Sequence, residues 1–415
     1  MAKKIKLGLL GCGTVGTGVL KVLQENYHDI RAKIGNDIEV SKVLVRNLNK
    51  KRDFNGDVVF TDNIDDILND ESIDIVVELL GGIHPAREYM LKAMENGKHV
   101  VTANKDVLAQ FGKDMFDAAE KHDVDFMFEA SVAGGIPIIT PLKQCLTANK
   151  ITELIGIVNG TTNYMLTKMT EQGMDYDTAL ARAQAKGYAE ADPTADVAGL
   201  DAARKAAILS SIAFNTRVSL EDVKVEGITN ITPEDITYAK ELGYIIKLAI
   251  AKHTEDGIDV RVHPTFIDKD HPLASVRNVF NAIFIHGNAV GDTMFYGKGA
   301  GERPTASAVL ADIIDVARDM GKDRFGKIRC TCYEEKKLCP PDKVLSGYYI
   351  RLLVEDKPGV LGAIATAFGE SNVSLYSVIQ KRRVREFSEI VAITHNVNNN
   401  QIEDLKVRLN NLDVV

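Results

Sequence analysis

The chain has 415 residues, more than one hydrophobic core accommodates, so its length predicts two or three domains. Hydrophobic residues make up 45% and charged residues 26% of it, a composition typical of globular proteins that fold in water. The net charge of -8 argues against general affinity for nucleic acid or an anionic membrane, and no apolar stretch approaches the roughly 20 residues of a membrane span.

The start of the chain and its cysteines predict a cytoplasmic location. The first predicted strand begins almost at once, so we expect no signal peptide before it. Five cysteines, an odd and sparse set, suit a reducing cytoplasm. Cys330, Cys332 and Cys339 do cluster, but a metal site needs a fourth ligand and more regular spacing, so we interpret them as incidental thiols.

A glycine-rich turn opens the chain within KIKLGLLGCGTVGTGVLKVL, residues 4–23. Residues 5–10 predict a buried parallel strand, and apolar residues recur at helical spacing after the glycines. Gly11 would make the tight turn, Gly13 would let a pyrophosphate approach the backbone, and Gly16 would let helix and strand pack closely. This context predicts a dinucleotide site, and the alternative is an ordinary βαβ turn.

Residues 1–135 alternate predicted strands with helical patterns. The strand candidates are 5–10, 39–45, 73–79, 98–102 and 124–128. This order predicts an α/β fold, a doubly wound Rossmann-type dinucleotide-binding domain with right-handed crossovers.

Basic residues follow the second predicted strand, which ends at Val45. Rossmann-type domains that prefer NAD place an acidic residue at this strand end, where it meets the ribose hydroxyl. Arg46, with Lys50, Lys51 and Arg52 close behind, suits the 2′-phosphate of NADP instead. The alternative is a solvated basic loop.

The segment VTANK, residues 101–105, follows the fourth predicted strand. Lys105 is therefore expected at the carboxyl edge of the sheet, where ligands bind in such folds. A lysine there can meet a phosphate, a carboxylate or a reacting oxygen. The alternative is a solvated loop lysine.

Residues 136–320 mix long helical patterns with strands, which indicates an α+β domain that shapes the substrate pocket. The predicted helices are 174–188, 194–214 and 233–252, and the predicted strands are 154–160 and 281–287. NGTTNY, residues 159–164, follows a strand and offers hydroxyls and an amide. The glycine-rich loop 297–309 precedes another helix, so it is a candidate for a second backbone contact with the cofactor.

The segment GYAEADPTADVAGLDAARKAAILSSIAF, residues 187–214, combines charge with burial. From Val197 onward it predicts a helix with nearly every face buried, yet Asp201 and Lys205 interrupt an apolar stripe. Buried charges are costly unless they are paired or used, so this pair indicates either a reaction site or a structural ion pair. Three further carboxylates lie upstream, on Glu190, Asp192 and Asp196.

The loop FEASVAGGIP, residues 128–137, offers Glu129 and a backbone rich in carbonyl groups. Oxygen ligands of this kind suit a hard monovalent cation. The composition is equally that of a plain inter-domain loop.

Residues 321–347 are charged and contain Pro340 and Pro341, which predicts a linker. Residues 348–415 predict a third unit with the element order βαββα, a ferredoxin-like plan. Its predicted strands are 348–356, 373–382 and 385–395, its helices are 359–372 and 402–412, and a last strand barely begins at 413–415.

Six motifs in this order make the chain resemble homoserine dehydrogenases over nearly its whole length. They are GLLGCGTVG, VTANK, EASVAGGIPII, NGTTNY, GYAEADPTADVAGLDAARK and GKGAGERPTASAV. The C-terminal DKPGVLGAIATAFGESNVS resembles an ACT domain, a regulatory module that binds amino acids. The resemblance implies reversible reduction of L-aspartate 4-semialdehyde to L-homoserine with NADP(H) or NAD(H), in threonine, methionine and isoleucine biosynthesis.

The resemblance also implies residue roles. Lys205 would donate the proton to the carbonyl oxygen, Asp201 would orient it, and Lys105 would lie between cofactor and substrate. The residues at the substrate would be Glu190, Asp196, Asp201, Thr161 and Tyr188. Those at the cofactor would be Gly11, Gly13, Thr14, Val15, Gly16, Arg46, Lys105, Gly187, Glu190 and Gly301. A sodium ion would take oxygens from Glu129, Val132, Gly134 and Ile136.

Regulation and assembly are implied in the same way. Threonine would bind the ACT-like unit, whose site is cut short at Val415 and is either incomplete or completed by a partner subunit. A homodimer or higher homo-oligomer would pair through the middle domain.

Two other functions stay open on the sequence. One is an NADP-dependent reductase of another small amino-acid-like aldehyde or acid, and the other is a non-catalytic metabolite sensor. An aspartate-semialdehyde dehydrogenase is disfavoured, because it would need a placed catalytic cysteine with a histidine.

Overall fold

The computed structural model describes residues 4–254, 256–320, 330–384 and 387–415. Their contacts divide the chain into two compact units. The first unit comprises Met1–Pro233, Gly243–Lys252 and Val260–Glu335, and the second comprises Glu234–Leu242, His253–Asp259 and Lys336–Val415. Within the described ranges, no helix is long and apolar enough to cross a membrane.

The first sheet is parallel and follows the order β3-β2-β1-β4-β5-β6. Its strands are β1 (Lys4–Leu10), β2 (Asp37–Leu44), β3 (Val59–Thr61), β4 (Ile75–Glu78), β5 (His99–Thr102) and β6 (Phe126–Met127). The helices between them are α1 (Thr14–Glu25), α2 (Tyr27–Ile34), α3 (Asp65–Leu68), α4 (Ala86–Glu95) and α5 (Lys105–Lys121). The order confirms the Rossmann-type prediction and puts the ligand-binding crevice at the carboxyl ends of β1 and β4.

The second sheet follows the order β12-β11-β7-β9-β10-β8. Its strands are β7 (Ile151–Ile157), β8 (Lys224–Val225), β9 (Tyr244–Thr254), β10 (Gly257–Asp268), β11 (Phe280–Gly287) and β12 (Gly291–Lys298). The helices of this part are α6 (Gly160–Gln172), α7 (Tyr176–Ala185), α8 (Thr194–Val197), α9 (Leu200–Ala213), α10 (Pro233–Glu241) and α11 (Glu302–Asp319).

The predicted helix 233–252 is wrong in its second half, because α10 ends at Glu241 and the chain continues as strand β9. A short apolar run fits either period, and here Glu153–Ile155 of β7 pairs with Ile250–Lys252 in the sheet. The predicted helix 194–214 is interrupted at Ala198 and Gly199, so α9 begins at Leu200 rather than at Val197.

Helix α11 returns to the first sheet, far from it in sequence. Val309, Ile313 and Val316 lie in one apolar cluster with Leu7 and Leu9 of β1. At Gly18 of α1 an added Cβ would lie 2.6 Å from the carbonyl oxygen of Glu302, so the two helices touch by their backbones. This contact brings the glycine-rich loop before α11 beside the helix that follows the opening turn.

The C-terminal unit has a three-stranded sheet in its described part, in the order β14-β16-β15. Its elements are β13 (Leu345–Ser346), β14 (Tyr349–Glu355), α12 (Val360–Glu370), β15 (Leu375–Val384), β16 (Phe387–Thr394), β17 (Val397–Asn398) and α13 (Asn399–Asn410). The ferredoxin-like plan is confirmed, with Val354 and Ile390 packed against Phe368 and Leu405 of the two helices.

The C-terminal end of this unit differs from the prediction. Residues 413–415 do not form the expected strand, and a single hydrogen bond, from the Glu355 N–H to the Val414 oxygen at 2.9 Å, joins them to the edge of β14. Part of the predicted linker, residues 321–329, lies outside the described residues.

Helix α10 covers the sheet face of the second unit that α12 and α13 leave open. Tyr349 and Arg351 alternate with the core residues of β14 and therefore point to that face. Arg351 lies 2.8 Å from Asp235 of α10 and 3.0 Å from Glu389 of β16, and the Tyr349 hydroxyl donates to Asp235 at 2.8 Å. A chain segment from between the strands of the second sheet thus completes the C-terminal unit.

Candidate active site

Two lysines share one buried carboxylate in the first unit. The Lys205 Nζ lies 2.6 Å from Oδ2 of Asp201, and the Lys105 Nζ lies 3.0 Å from Oδ1. Asp201 is only 7% exposed. Asp201 and Lys205 stand one turn apart on α9, whereas Lys105 is the first residue of α5. The predicted site residues from two distant segments therefore meet at one carboxyl group.

Local structure holds the helix α5 in place for this contact. Asn104 caps the helix, since its side-chain oxygen accepts a hydrogen bond from the Val107 N–H at 3.1 Å. Arg204 of α9 pairs with Asp106 at 2.8 Å. A lysine at the first position of a helix is opposed by the helix dipole, so the carboxylate of Asp201 offsets an unfavourable placement of Lys105.

Asn159, the cap of α6, ties the carboxylates together. Its Nδ2 donates to Asp196 at 2.7 Å and to Asp201 at 2.9 Å, while its oxygen accepts from the Thr162 N–H. Asn159 lies in the NGTTNY motif, and no role was predicted for it from the sequence. An asparagine between a strand and a helical pattern signals a cap, but the partners of its amide are not visible in sequence.

Lys205 has a second acceptor, the Val158 carbonyl oxygen at 2.7 Å. An ammonium group has three N–H donors. Among the described residues, only Val158 and Asp201 accept from Lys205, which leaves one N–H for a substrate oxygen. The Lys205 side chain is 12% exposed, against 35% for Lys105.

The charges of the cluster stabilise one another. Burial by itself raises the pKa of Asp201, but the charges of Lys205 and Lys105 outweigh it and hold that pKa well below the usual range. Burial lowers the pKa of Lys105, but its attraction to Asp201 prevails and raises that pKa above the ordinary value. Asp201 is therefore an ionised anchor for two cations.

The loop after α7 carries other predicted substrate residues. The Thr161 hydroxyl donates to the Tyr188 carbonyl oxygen at 2.6 Å, and Gln184 donates to the Glu190 carbonyl oxygen at 3.1 Å, so the backbone of this loop is held at Tyr188 and at Glu190. Gly187 begins the loop. The Glu190 carboxylate is exposed and has no hydrogen bond or ion pair with the described residues, so the structure does not bring it onto the lysines.

The glycine turn has the shape that a dinucleotide needs. Gly11 has a φ of 107°, and an added Cβ there would lie 2.9 Å from the Leu79 oxygen. At Gly16 an added Cβ would lie 2.4 Å from the Gly11 oxygen. At Gly13, by contrast, an added Cβ would have no other atom within 4 Å. Helix α1 begins at Thr14 and Val15 with no side-chain cap, so its first N–H groups fit a pyrophosphate.

Arg46 follows β2 and is exposed. It has no partner in the part of the chain that the structure describes. Arg52 differs, since it donates to the carbonyl oxygens of Asn47 and Lys50, both at 2.8 Å, and lies over the Phe60 ring. The basic cluster therefore divides into a structural arginine and an unpaired one at the strand end.

Gly301 precedes α11, beside α1. Lys21 of α1 lies 3.2 Å from the Glu302 carboxylate, and Arg303 pairs with Glu25. This loop is therefore near the helix that follows the glycine turn, as a second cofactor contact requires.

Glu129 is almost fully buried, and its carboxylate is already used. Its oxygens accept from the N–H groups of Ile138, Ile139 and Thr140 at 2.6–2.8 Å. Its own N–H donates to Asp312, a buried carboxyl group that was not predicted from the sequence and whose pKa burial raises. A cation in this loop would have to rely on backbone oxygens.

Those backbone oxygens are available. The carbonyl groups of Val132, Gly134 and Ile136 accept no hydrogen bond from any described residue. Gly134 has a φ of 51°, and an added Cβ there would lie 2.4 Å from the Gly299 oxygen, so this loop lies against the loop before α11.

Three family models match the chain. The NAD-binding domain of homoserine dehydrogenase matches residues 11–129, homoserine dehydrogenase itself matches 137–314, and the ACT domain matches 348–414. These ranges cover both the lysine cluster and the glycine turn.

Individual relatives agree with the family models. The homoserine dehydrogenase of Bacillus subtilis strain 168 is 43% identical, over 100% of this chain and 96% of its own length. The crystal structure of a homoserine dehydrogenase from Thiobacillus denitrificans superposes with a TM-score of 0.95 at 44% identity, over 100% of this chain and 96% of that one. A hyperthermophilic archaeal homoserine dehydrogenase in complex with NADPH has a TM-score of 0.65 at 26% identity, over 77% of this chain and 99% of that one.

These likenesses decide between the enzyme and the sensor that the sequence left open. The chain contains an NAD-binding domain, and relatives that match it over its full length are named homoserine dehydrogenases. The chain belongs to the homoserine dehydrogenase family, and is an NAD(P)-dependent oxidoreductase that acts on a CH–OH group and carries a C-terminal ACT domain.

Proposed function

We propose that Lys105, Asp201 and Lys205 form the centre at which L-homoserine and L-aspartate 4-semialdehyde are interconverted. The observation that carries this proposal is the buried Asp201 carboxylate shared by two ammonium groups, 2.6 and 3.0 Å away. One lysine comes from the carboxyl edge of the cofactor-binding sheet and the other from α9. That is where a hydride donor and a carbonyl group would have to meet.

The chemistry divides between cofactor and protein. When bound, the nicotinamide supplies or accepts the hydride at the carbon that bears the oxygen. During reduction, Lys205 donates to the substrate oxygen the proton that makes no hydrogen bond with the described residues. During oxidation, Lys205 accepts this proton back. The two ammonium groups stabilise the negative charge that develops on this oxygen, and Asp201 and the Val158 carbonyl keep Lys205 oriented.

The acidic side chains near this centre suit the α-ammonium group of the substrate. Asp196 is held by Asn159 at 2.7 Å, and Glu190 is an exposed carboxylate without a described partner. We assign both to substrate binding, together with Thr161 and Tyr188, whose hydrogen bond holds the start of the loop that carries Glu190. Glu190 and Gly187 also face the cofactor in this proposal.

The cofactor in this proposal is NADP(H), bound at Gly11, Gly13, Thr14, Val15, Gly16 and Gly301. The support is Arg46, which is unpaired among the described residues, exposed, and placed where β2 ends. An archaeal relative of similar fold is known in complex with NADPH. A guanidinium group suits a phosphate because it donates two parallel hydrogen bonds.

We expect Arg46→Ala to lower kcat/KM for NADP about tenfold or more and to leave kcat/KM for NAD nearly unchanged, because a hydrogen bond to a charged group contributes about 1.5–3 kcal/mol. Steady-state rates with each cofactor check this. Lys33→Ala, which removes an exposed positive charge from helix α2 of the same domain, is the control. An equal loss with both cofactors would contradict a role in phosphate recognition.

We also propose a sodium site at the backbone oxygens of Val132, Gly134 and Ile136, completed by the backbone oxygen of Glu129. The support is that these three carbonyl groups are free of hydrogen bonds to described residues. We expect activity to fall when sodium is replaced by choline at constant ionic strength, because choline is too large for this loop. Rates that follow ionic strength alone would contradict the site.

The remaining proposals concern regulation and assembly. We expect threonine to bind the ACT domain. Titration calorimetry on the whole chain tests this, and the absence of a heat of binding would contradict it. The chain would form a homodimer or a higher homo-oligomer through the middle domain, which sedimentation tests. The domains would be 1–135, 136–320, a linker at 321–347, and 348–415. The free cysteines support a cytoplasmic location.

A further inference from the structure

Glu78, the last residue of β4, is a buried carboxylate with no part in the chemistry described above. It is 0% exposed. One oxygen accepts from the N–H groups of Leu80 at 2.7 Å and Gly81 at 3.2 Å, and the other accepts from the Thr102 hydroxyl at 2.6 Å. Burying a charge is costly, so a glutamate at this place calls for a use.

The first set of hydrogen bonds shapes the loop after β4. This loop packs on the glycine turn, since the Leu79 N–H donates to the Leu10 oxygen at 2.9 Å and the Leu79 oxygen excludes a side chain from Gly11. Strands β1 and β4 flank the crevice in which dinucleotides bind. Through Leu80 and Gly81, Glu78 therefore fixes one wall of the cofactor site.

The other oxygen of Glu78, which accepts from Thr102, is connected through hydrogen bonds to the start of α5, where Lys105 lies. The Thr102 hydroxyl, which donates to Glu78, accepts from the Asn104 N–H at 3.0 Å. Asn104 caps α5 through Val107 and donates its amide to the Gly82 oxygen at 2.7 Å. The two branches thus rejoin around the residue that immediately precedes Lys105.

We propose that Glu78 is a positioning residue, whose carboxylate holds the 79–82 loop and the start of α5 together and so fixes Lys105 relative to the glycine turn. This inference rests on the proposed role of Lys105. Glu78 does not touch the lysine, and it acts through Thr102 and Asn104.

The donor pattern explains why the group is a carboxylate and not an amide. Leu80, Gly81 and Thr102 all donate to Glu78. In Glu78→Gln one oxygen can keep the Leu80 and Gly81 bonds, but the NH₂ group then faces a Thr102 hydroxyl that already accepts from Asn104. The NH₂ group can still donate to the second lone pair of that hydroxyl, but the hydroxyl proton is left without an acceptor, so the isosteric variant weakens the branch toward Lys105 and spares the loop.

The experiment is a double-mutant cycle of Glu78→Gln with Lys105→Met, in the full chain, with kcat measured per folded molecule and NADPH binding measured by fluorescence. We expect Glu78→Gln alone to lower kcat by about tenfold to a hundredfold, as small misplacements of a catalytic group do. In the Lys105→Met background the same change should cost less than about threefold. NADPH affinity should stay within about threefold.

Thr102 provides the conservative rescue. Thr102→Ser keeps the hydroxyl and should keep kcat, whereas Thr102→Val should behave as Glu78→Gln does. If Glu78→Gln costs the same factor with and without Lys105, or lowers only the folded fraction, the inference is wrong. If Lys105→Met itself turns over normally, the proposed role of Lys105 fails instead, so the two failures are distinguishable.

Discussion

The Lys205→Met variant is expected to lose about 10²- to 10⁴-fold in kcat while it still binds NADPH, because a positioned acid contributes rate in this range. Methionine keeps the length and the apolar stem of the side chain. It removes the group that contacts Asp201 at 2.6 Å and Val158 at 2.7 Å and that is the proposed proton donor. Stopped-flow absorbance of the reduced nicotinamide, with saturating L-homoserine, measures the loss.

The matched control for this variant is Lys113→Met. Lys113 is also paired at i,i+4, with Asp117 at 2.6 Å, but both side chains are exposed on α5. We expect this control to keep its kcat. A Lys205→Met enzyme that is folded, binds NADPH and retains turnover would contradict the assignment of the proton donor.

Asp201→Asn is the second variant with a large expected effect. The neutral amide no longer balances the charge of two ammonium groups. Its NH₂ group also faces an N–H donor of a lysine and cannot accept from it, so both lysines lose their orientation. We expect kcat to fall about a hundredfold. Removing one partner of a buried ion pair also costs about 3 kcal/mol of the free energy of unfolding, since it leaves uncompensated charge.

The pH dependence of stability follows from the direction of the Asp201 pKa. Because that pKa is lower in the folded state than in the unfolded chain, ionised Asp201 stabilises the fold above about pH 4. This contribution is lost as the pH falls further toward the folded-state pKa. Urea unfolding should therefore show a constant gap between wild type and Asp201→Asn near neutral pH, and a smaller gap in acid.

Asp117→Asn, which breaks the exposed pair on α5, is the control for the second variant. It should leave both kcat and the pH dependence of unfolding close to those of wild type. A gap between wild type and Asp201→Asn that does not shrink in acid would argue against an ionised, stabilising Asp201.

The parts of the site that sequence predicts well are those carried by a local pattern. The glycine turn is recognised by the fixed spacing of Gly11, Gly13 and Gly16. Asp201 and Lys205 are recognised as a pair because they lie one turn apart on one helix. Lys105 is predictable because it comes three residues after the end of a parallel strand, at the start of the next helix. For these residues the local sequence already determines where the side chain goes.

The parts that sequence does not predict depend on contacts between distant segments. Asn159 bridges to residues 37 and 42 positions away, and Glu78 bonds to Thr102 across 24 positions. Asp312 meets the Glu129 N–H across 183 positions. The strand at 244–254 escaped prediction because its environment in the sheet, rather than its periodicity, decides its structure.

The most direct test of the account is a crystal structure of the enzyme with NADPH and L-homoserine, a pair that cannot react. We predict that the homoserine hydroxyl oxygen lies about 3 Å from the Lys205 Nζ, within hydrogen-bonding distance. We also predict that Lys105 lies between this oxygen and the cofactor. A homoserine bound with its hydroxyl away from both lysines would contradict the proposed centre.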